Sequence, residues 1–506
     1  MNAEYCTISV NPGSLPLAAL PILSYERFTE LCLKLIKAGG RIAAYFARPQ
    51  REDHLELFAI IARDWDGELL ILRCTVGRSF PSFTLQCSEV HLFEREIAEE
   101  YGVLPLGHPW FKPLRFHRSW QEGVDAWNRG EGRPLPGDID YYRVEGDEVH
   151  EVAVGPVHAG VIEPGHFRFQ CHGENVMHLE ISLGYQHRGV EQLLGGGPHP
   201  QTIYQLEAVA GDTTAGHSSA YCMVLEALSG LAPSPRAEAI RAIALELERL
   251  ANHVGDIGAL AGDVGFLPTA SYCGRLRGDY LNLTAEICGS RFGRGLLRPG
   301  GVGFDIDNVL AKRMEQRLMA LEQETRGAIE LFFDAPSALA RMERIGTLNI
   351  DDAEALGMVG VAARACGLTR DVRLHYPHGG YLQTYDHCVI EDSGDVFARA
   401  NIRRREIYKS LRWLKESLRD LPPGVLRQEL PALAPESLAV ALVEGWRGEV
   451  LQVGITDQDG KFSRYKIIDP SFHNWSGVVM AMRNQQISDF PVCNKSFNLS
   501  YCGFDL

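Results

Sequence analysis

The chain has 506 residues, 45% of them apolar, enough for ordinary cores and, at the usual domain size, for about three domains. Lys+Arg 50 against Asp+Glu 65 gives a net charge of −15, which argues against nucleic acid as the partner, because phosphate binding needs a basic face. No run approaches the roughly 18 apolar residues of a membrane span, so any attachment to a membrane is expected to come through partner chains.

Residues 1–10 lack the basic and apolar regions of a signal peptide. The twelve cysteines are scattered, with no Cys-x-x-Cys pair, and reduced thiols in the cytosol are the simplest account.

Residues 15–120 read as a small α/β unit. Ser24 can cap a helix whose apolar face is Phe28, Leu31, Cys32, Leu35 and Ile36, with Gly39 at its end. Two apolar runs, 55–62 and 69–76, flank Asp66-Gly67, a strong hairpin signal. The run Phe93-Glu94-Arg95-Glu96-Ile97-Ala98-Glu99-Glu100-Tyr101-Gly102 follows, then Gly107-His108-Pro109. Taken alone, so acidic a run reads as a solvated helix face. Residues 118–148 are rich in Gly, Pro and charge and predict a linker.

Beyond it come Gly155-Pro156-Val157-His158, Glu163-Pro164-Gly165-His166-Phe167 and Gly184-Tyr185-Gln186-His187-Arg188-Gly189-Val190-Glu191. The clearest helix spans 235–255. Pro235 suits its first turn, and Ile240, Ile243, Leu247, Leu250 and Val254 form a buried stripe. Within it, Glu248, Arg249 and His253 suit either a functional site or a charge network between helices. Helical patterns cover 315–333 and 394–418, and residues 420–435 read as a Pro-rich loop. Residues 450–456 and 462–468 form a hairpin around Asp459-Gly460, followed by a short helix and a tail.

These strings carry a resemblance. The acidic run with Gly-His-Pro resembles the signature of complex I "C" subunits. The histidine strings and Glu246-Leu247-Glu248-Arg249-Leu250-Ala251-Asn252-His253 resemble complex I "D" subunits and the large subunits of membrane-bound (group 4) nickel-iron hydrogenases. A fused layout of this kind is known in formate hydrogenlyase-type complexes. It implies an α+β fold: a small N-terminal α/β domain (1–117), a linker (118–148) and a mainly α-helical large-subunit domain with peripheral β-hairpins (149–506).

The departures matter as much. Gly211, His217, Ser218 and Tyr221 stand where the hydrogenases have them, but Ala210 and Thr213 replace the first pair of metal-binding cysteines. In the tail the corresponding positions are Ser500 and Gly503; Cys502 sits one place early, so its side chain is expected to point elsewhere. Nickel and low-valent iron want thiolates, so no nickel-iron centre is expected.

The resemblance implies a catalytic group of Glu163, His166 and Arg447. Glu163 matches the hydrogenases' proton-carrying glutamate, and a carboxylate there can bind and release a proton; the plain alternative is a strand-end surface acid. Arg447 matches the arginine over the metal site, or is simply salt-bridged at a strand edge. His158, His187, Arg188, His217 and Asp489 form the implied cofactor-facing group, with His187 and Arg188 near a partner's iron-sulfur cluster, whose potential their charge can tune.

Quinone is a candidate ligand of the cleft, although the family's two quinone-ligand positions are here Ile162 and Gly211. The chain is expected to bind no cofactor of its own. The expected partners are a small iron-sulfur subunit like complex I "B", antiporter-like membrane subunits and a quinone module, on the cytoplasmic side of the membrane. Three readings follow: a redox subunit passing electrons to an acceptor in the cleft, a metal-free coupling subunit with no substrate, and a working hydrogenase, which the missing thiolates disfavour.

Overall fold

A strand from the first twenty residues lies in a sheet otherwise built from residues 437–468. In the computed structural model, which describes residues 4–50, 54–130, 132, 134–157, 163–382, 385 and 387–506, Gly13–Pro16 pairs antiparallel with Ser437–Glu444. Glu449–Thr456 and Phe462–Ile468 complete this four-stranded sheet.

The N-terminal α/β unit forms as its signals require. Ser24 caps the helix Tyr25–Lys37 through Arg27 N–H, and Gly39 follows at φ +92°. Leu55–Arg63 and Glu68–Val76 make the hairpin, with Gly67 left-handed at the turn. Arg41–Pro49 and Cys6–Ile8 extend the sheet, and Ile22–Leu23 adds a short parallel pairing.

The acidic run forms the helix His91–Tyr101, but its carboxylates do not face solvent. Glu94, Glu96, Glu99 and Glu100 are all buried. Glu99 accepts from three successive backbone N–H groups, Leu114, Arg115 and Phe116, at 3.1, 2.6 and 2.9 Å. Glu96 meets Arg115 and Lys466, and Glu100 takes both its bonds from Arg464 at 2.9 Å. The solvated-face expectation fails because buried carboxylates persist where each is paired or hydrogen-bonded. The helix is a charged seam between the N-terminal unit and the sheet of residues 437–468.

Among the described residues, 118–148 contain no helix or strand. The segment is nonetheless packed: Trp127 stacks on Phe111 at 4.7 Å, and Arg129 reaches Glu99.

The second half is mainly helical. Pro235–Asp263 lies between Leu267–Cys288 and Val396–Arg419, with Asn308–Phe333 beyond, and Thr214–Ser229 packs on the strands 437–444 and 449–456. The central helix runs eight residues past the expected stop, because Gly255, Gly258 and Gly262 accept helical geometry where they are packed; at Gly258 a Cβ would stand 2.7 Å from Cys273. The architecture is α+β, with one difference from expectation. The 437–468 strands are not peripheral: Ser437–Glu444 and Glu449–Thr456 are buried at every position, because helix Thr214–Ser229 covers one side.

Candidate functional site

Three segments meet at one cleft: the loop 208–213 before helix Thr214–Ser229, the turn 445–448 between two strands, and the tail 498–505. The turn is held by close backbone approach: a Cβ on Gly360 would lie 2.1 Å from the Arg447 carbonyl. Trp446 donates from Nε1 to the Asp212 carbonyl at 2.9 Å, and its ring lies under the Arg447 guanidinium at 3.9 Å. Arg447 thereby points at Asp212 and makes a two-pronged pair, Nη1 to Oδ1 at 2.7 Å and Nη2 to Oδ2 at 2.8 Å. Its Nε donates to the Asn498 carbonyl at 2.5 Å, and Nη1 also reaches Thr213 Oγ1 at 3.3 Å.

Charged groups continue behind this pair. Asn498 donates to Asp256 at 2.5 Å, and Asp256 takes Arg403 at 2.8 Å. Glu248 accepts from the first turn of helix Thr214–Ser229, at Ala215 N (2.6 Å) and Gly216 N (3.2 Å), where the helix dipole favours an anion. Burial nevertheless pushes its carboxyl up to about 8, and Asp212 adds to the effect. Burial works against the Asp212 charge too, but Arg447 outweighs it and holds that carboxyl below its ordinary range. Arg249 donates to the Glu444 and Gly445 carbonyls, and His253 meets Glu406 at 2.8 Å. These two residues belong to a charge network between elements, whereas Glu248 faces the cleft loop.

On the tail, Ser500 caps Tyr501–Asp505 by accepting from Gly503 N at 2.9 Å. Glu163 Oε2 accepts from Tyr501 N at 3.1 Å. Arg188 ties loop to tail, donating to the Ala208, Val209 and Cys502 carbonyls at 2.6, 2.8 and 2.9 Å. His187 bonds the Asp505 carbonyl at 2.8 Å and stacks on His117; burial, with His117 beside it, pushes the imidazole down to about 4. Burial also pushes the Asp505 carboxyl up to about 6, although Gly184 and Gln186 N–H groups bind it. His217 is fully buried and meets Asp469 at 3.0 Å. Burial opposes the Asp469 charge, but His217 and Arg447 hold that carboxyl below its usual value.

The family model "Respiratory-chain NADH dehydrogenase, 49 Kd subunit" matches residues 263–438. The carbon monoxide-induced hydrogenase of Rhodospirillum rubrum is 31% identical over 350 residues, 69% of this chain and 97% of that protein. The chain belongs to the complex I and group 4 hydrogenase large-subunit family. Formate hydrogenlyase subunit 5 of Escherichia coli is 27% identical over 486 residues, 92% of this chain and 84% of that protein. The fused C/D component of the NADH-quinone oxidoreductase of Bacteroides thetaiotaomicron is 29% identical over 384 residues, 71% of this chain and 72% of that protein.

The hydrogenase members of this family imply a nickel-iron group, and the residues of this chain do not fit one. Ala210, Thr213, Ser500 and Gly503 offer no thiolate. At Gly503 even a Cβ would lie 2.7 Å from Asp469 Oδ2, so a cysteine there requires Asp469 to move. Cys502 is not turned away as the sequence suggests: its Sγ lies 3.4 Å from Ser500 Oγ. Burial and the charges of Glu163 and Asp212 push its thiol up to about 11. One thiol among carboxylates is a poor set for a soft, low-valent centre.

Of the residues singled out by sequence, the cleft gathers Glu163, Arg447, Arg188, His187 and, through Asp469, His217. His166 is turned toward neighbouring strands, bonding the Gly155 carbonyl at 3.2 Å and accepting from Arg168. Asp489 makes its closest ion pair elsewhere, 3.8 Å from Arg341 at the start of helix Phe490–Phe497. His158 and Ile162 lie outside the described residues. Sequence reasoning missed Asp212, Asp256, Asp469, Asn498 and Asp505. Two of these had a signal: Asp212 stands inside the altered cysteine motif, and Asp469-Pro470 is a helix start.

Proposed function

We propose that this chain is the hydrogenase-like large subunit of a membrane-associated, multisubunit oxidoreductase that works without a nickel-iron centre. In this reading it couples electron transfer from a partner's iron-sulfur cluster to proton or ion movement. The observation that carries it is the Arg447–Asp212 pair, which ties the turn 445–448 to the loop where hydrogenases of the family place their first pair of thiolates. An ion pair of this geometry holds the cleft together electrostatically with no metal. Around it stand two acids suited to taking up and releasing protons near neutral pH, Asp505 and Glu248. Glu163 touches the tail by accepting from Tyr501 N–H.

The partners in this proposal are a small iron-sulfur subunit like complex I "B", antiporter-like membrane subunits and a quinone module, on the cytoplasmic side. The isolated chain is then inactive. Quinone remains a candidate ligand, without the family's two ligand positions. A second reading, a conformational coupling subunit with no substrate, is favoured by the continuity of the buried pairs from Arg447 through Asn498 and Asp256 to Arg403.

Elemental analysis of the purified complex tests the metal-free part: nickel far below one per chain is expected, and nickel near one per chain overturns it. Glu163→Gln tests the proton part. The amide keeps the size and an acceptor for Tyr501 N–H but cannot carry a proton. The variant complex should assemble and lose about 10²-fold in proton-coupled turnover, with Glu163→Asp between. Undiminished turnover in Glu163→Gln leaves Glu163 as a structural acid and favours the conformational reading.

A further inference from the structure

A second cavity, of about 340 Å³, lies between helix His91–Tyr101, the segment 110–114, strand Asn175–Ser182 and helix Pro470–Ala481. It falls within the size range of small-molecule sites and matches their usual make-up, apolar walls with a few polar groups. Leu114, Leu183 and Val479 give aliphatic wall, and Trp110, Trp475 and Phe504 give aromatic wall.

Its polar groups are biased toward receiving an anion. Arg95, in the run singled out by sequence, takes no part in the seam that pairs the neighbouring glutamates. Nε and Nη2 donate to the Lys112 and Pro113 carbonyls at 2.7 and 2.9 Å. Among the described residues no carboxylate comes within ion-pair distance of it, and Nη1 has no partner. Burial pushes the guanidinium down to about 10, with Glu99 and Glu180 only partly opposing. Glu180, the acid lining the cavity, is taken by Lys112 at 2.7 Å and by Tyr142 N at 2.8 Å. The exposed Arg483 also lines it.

The other polar groups are neutral and partly unused. Trp475 is 4% exposed, and its indole Nε1, a pure donor, has no acceptor. His178 Nε2 is also without a partner. Burial lowers the His178 pKa, and Arg483 and Lys112 act in the same direction. His91 is pushed down to about 3 by burial and then by Arg95. A cation with no carboxylate within ion-pair distance and aromatic walls thus line one space.

We propose that this cavity binds a small aromatic monoanion, a ring system carrying one carboxylate. The carboxylate pairs with Arg95 and the ring fills the aromatic wall. This site adjoins the Arg447–Asp212 cleft only through Phe504 of the tail, and it does not depend on the function proposed there.

The test is calorimetric titration of the full-length chain, purified in its complex, with 2-naphthoate and with neutral 2-naphthamide. Saturable binding of one naphthoate per chain is expected. Loss of a charge-assisted bond predicts binding at least about tenfold weaker for the amide and for Arg95→Gln. Val479→Trp, which fills the cavity while leaving Arg95, should abolish binding. The thermal midpoint of each variant checks folding, and if Arg95→Gln does not fold, the amide and Val479→Trp decide. Absence of saturable naphthoate binding up to about 10 mM overturns the proposal, since weaker affinity is not that of a built site. Equal affinity for the amide, or undiminished binding in Val479→Trp, overturns it as well.

Discussion

Glu248 shows how much one side chain at the cleft depends on its surroundings. It accepts two backbone N–H bonds at a helix start, an arrangement that favours the carboxylate, yet burial raises its pKa from 4.5 to about 8. The folded state therefore holds a proton between these values that the unfolded chain releases. Stability contributed by this group is full below about 4.5 and declines as pH rises toward 8. Glu248→Gln keeps an oxygen acceptor and removes the titration. Its thermal midpoint should fall less between pH 5 and pH 8 than that of the unaltered protein, by scanning calorimetry in matched buffers. Parallel slopes would mean that Glu248 is ionised throughout.

At the scale of elements, two N-terminal pieces complete the sheet of residues 437–468. Strand Gly13–Pro16 pairs along Ser437–Val440, and helix His91–Tyr101 supplies Glu96 to Lys466 and Glu100 to Arg464. Lys466 and Arg464 are almost wholly buried, and among the described residues Glu191 is the one carboxylate they keep without that helix. Removing one partner of a buried pair costs about 3–5 kcal/mol, and removing the strand bares a sheet edge prone to association. A chain of residues 149–506 alone should therefore be insoluble or lack a cooperative melt, and co-expression with residues 1–148 should restore both. A soluble, cooperatively melting 149–506 fragment would show that the seam is dispensable.

The same elements show what local sequence can reveal. The helix Tyr25–Lys37 and the hairpin around Gly67 were legible because a capping serine, a 3.6-residue period and an Asp-Gly turn act over a few residues. The burial of Glu94, Glu96, Glu99 and Glu100 was not. Their partners come from 82–84, 114–116 and 464–466, and an acidic helix looks the same in sequence whether it faces water or arginine.

For the molecule as a whole, the family strings and their order determined family membership, the α+β class and the loss of thiolates at Ala210, Thr213, Ser500 and Gly503. These are properties of residue identity and local spacing, which need no third dimension. Among the described residues no helix is long and apolar enough to cross a membrane, a matter of composition along single segments. What stands in the altered cleft was decided only by the tertiary structure. Arg447 and Asp212 are 235 positions apart, and Glu163 and Tyr501 are 338 apart. Asp489, near the tail in sequence, faces Arg341, while Cys502 comes back to Ser500 and Glu163. Pairing across such separations depends on which faces the helices and the 437–468 sheet bury together, and no local pattern encodes that.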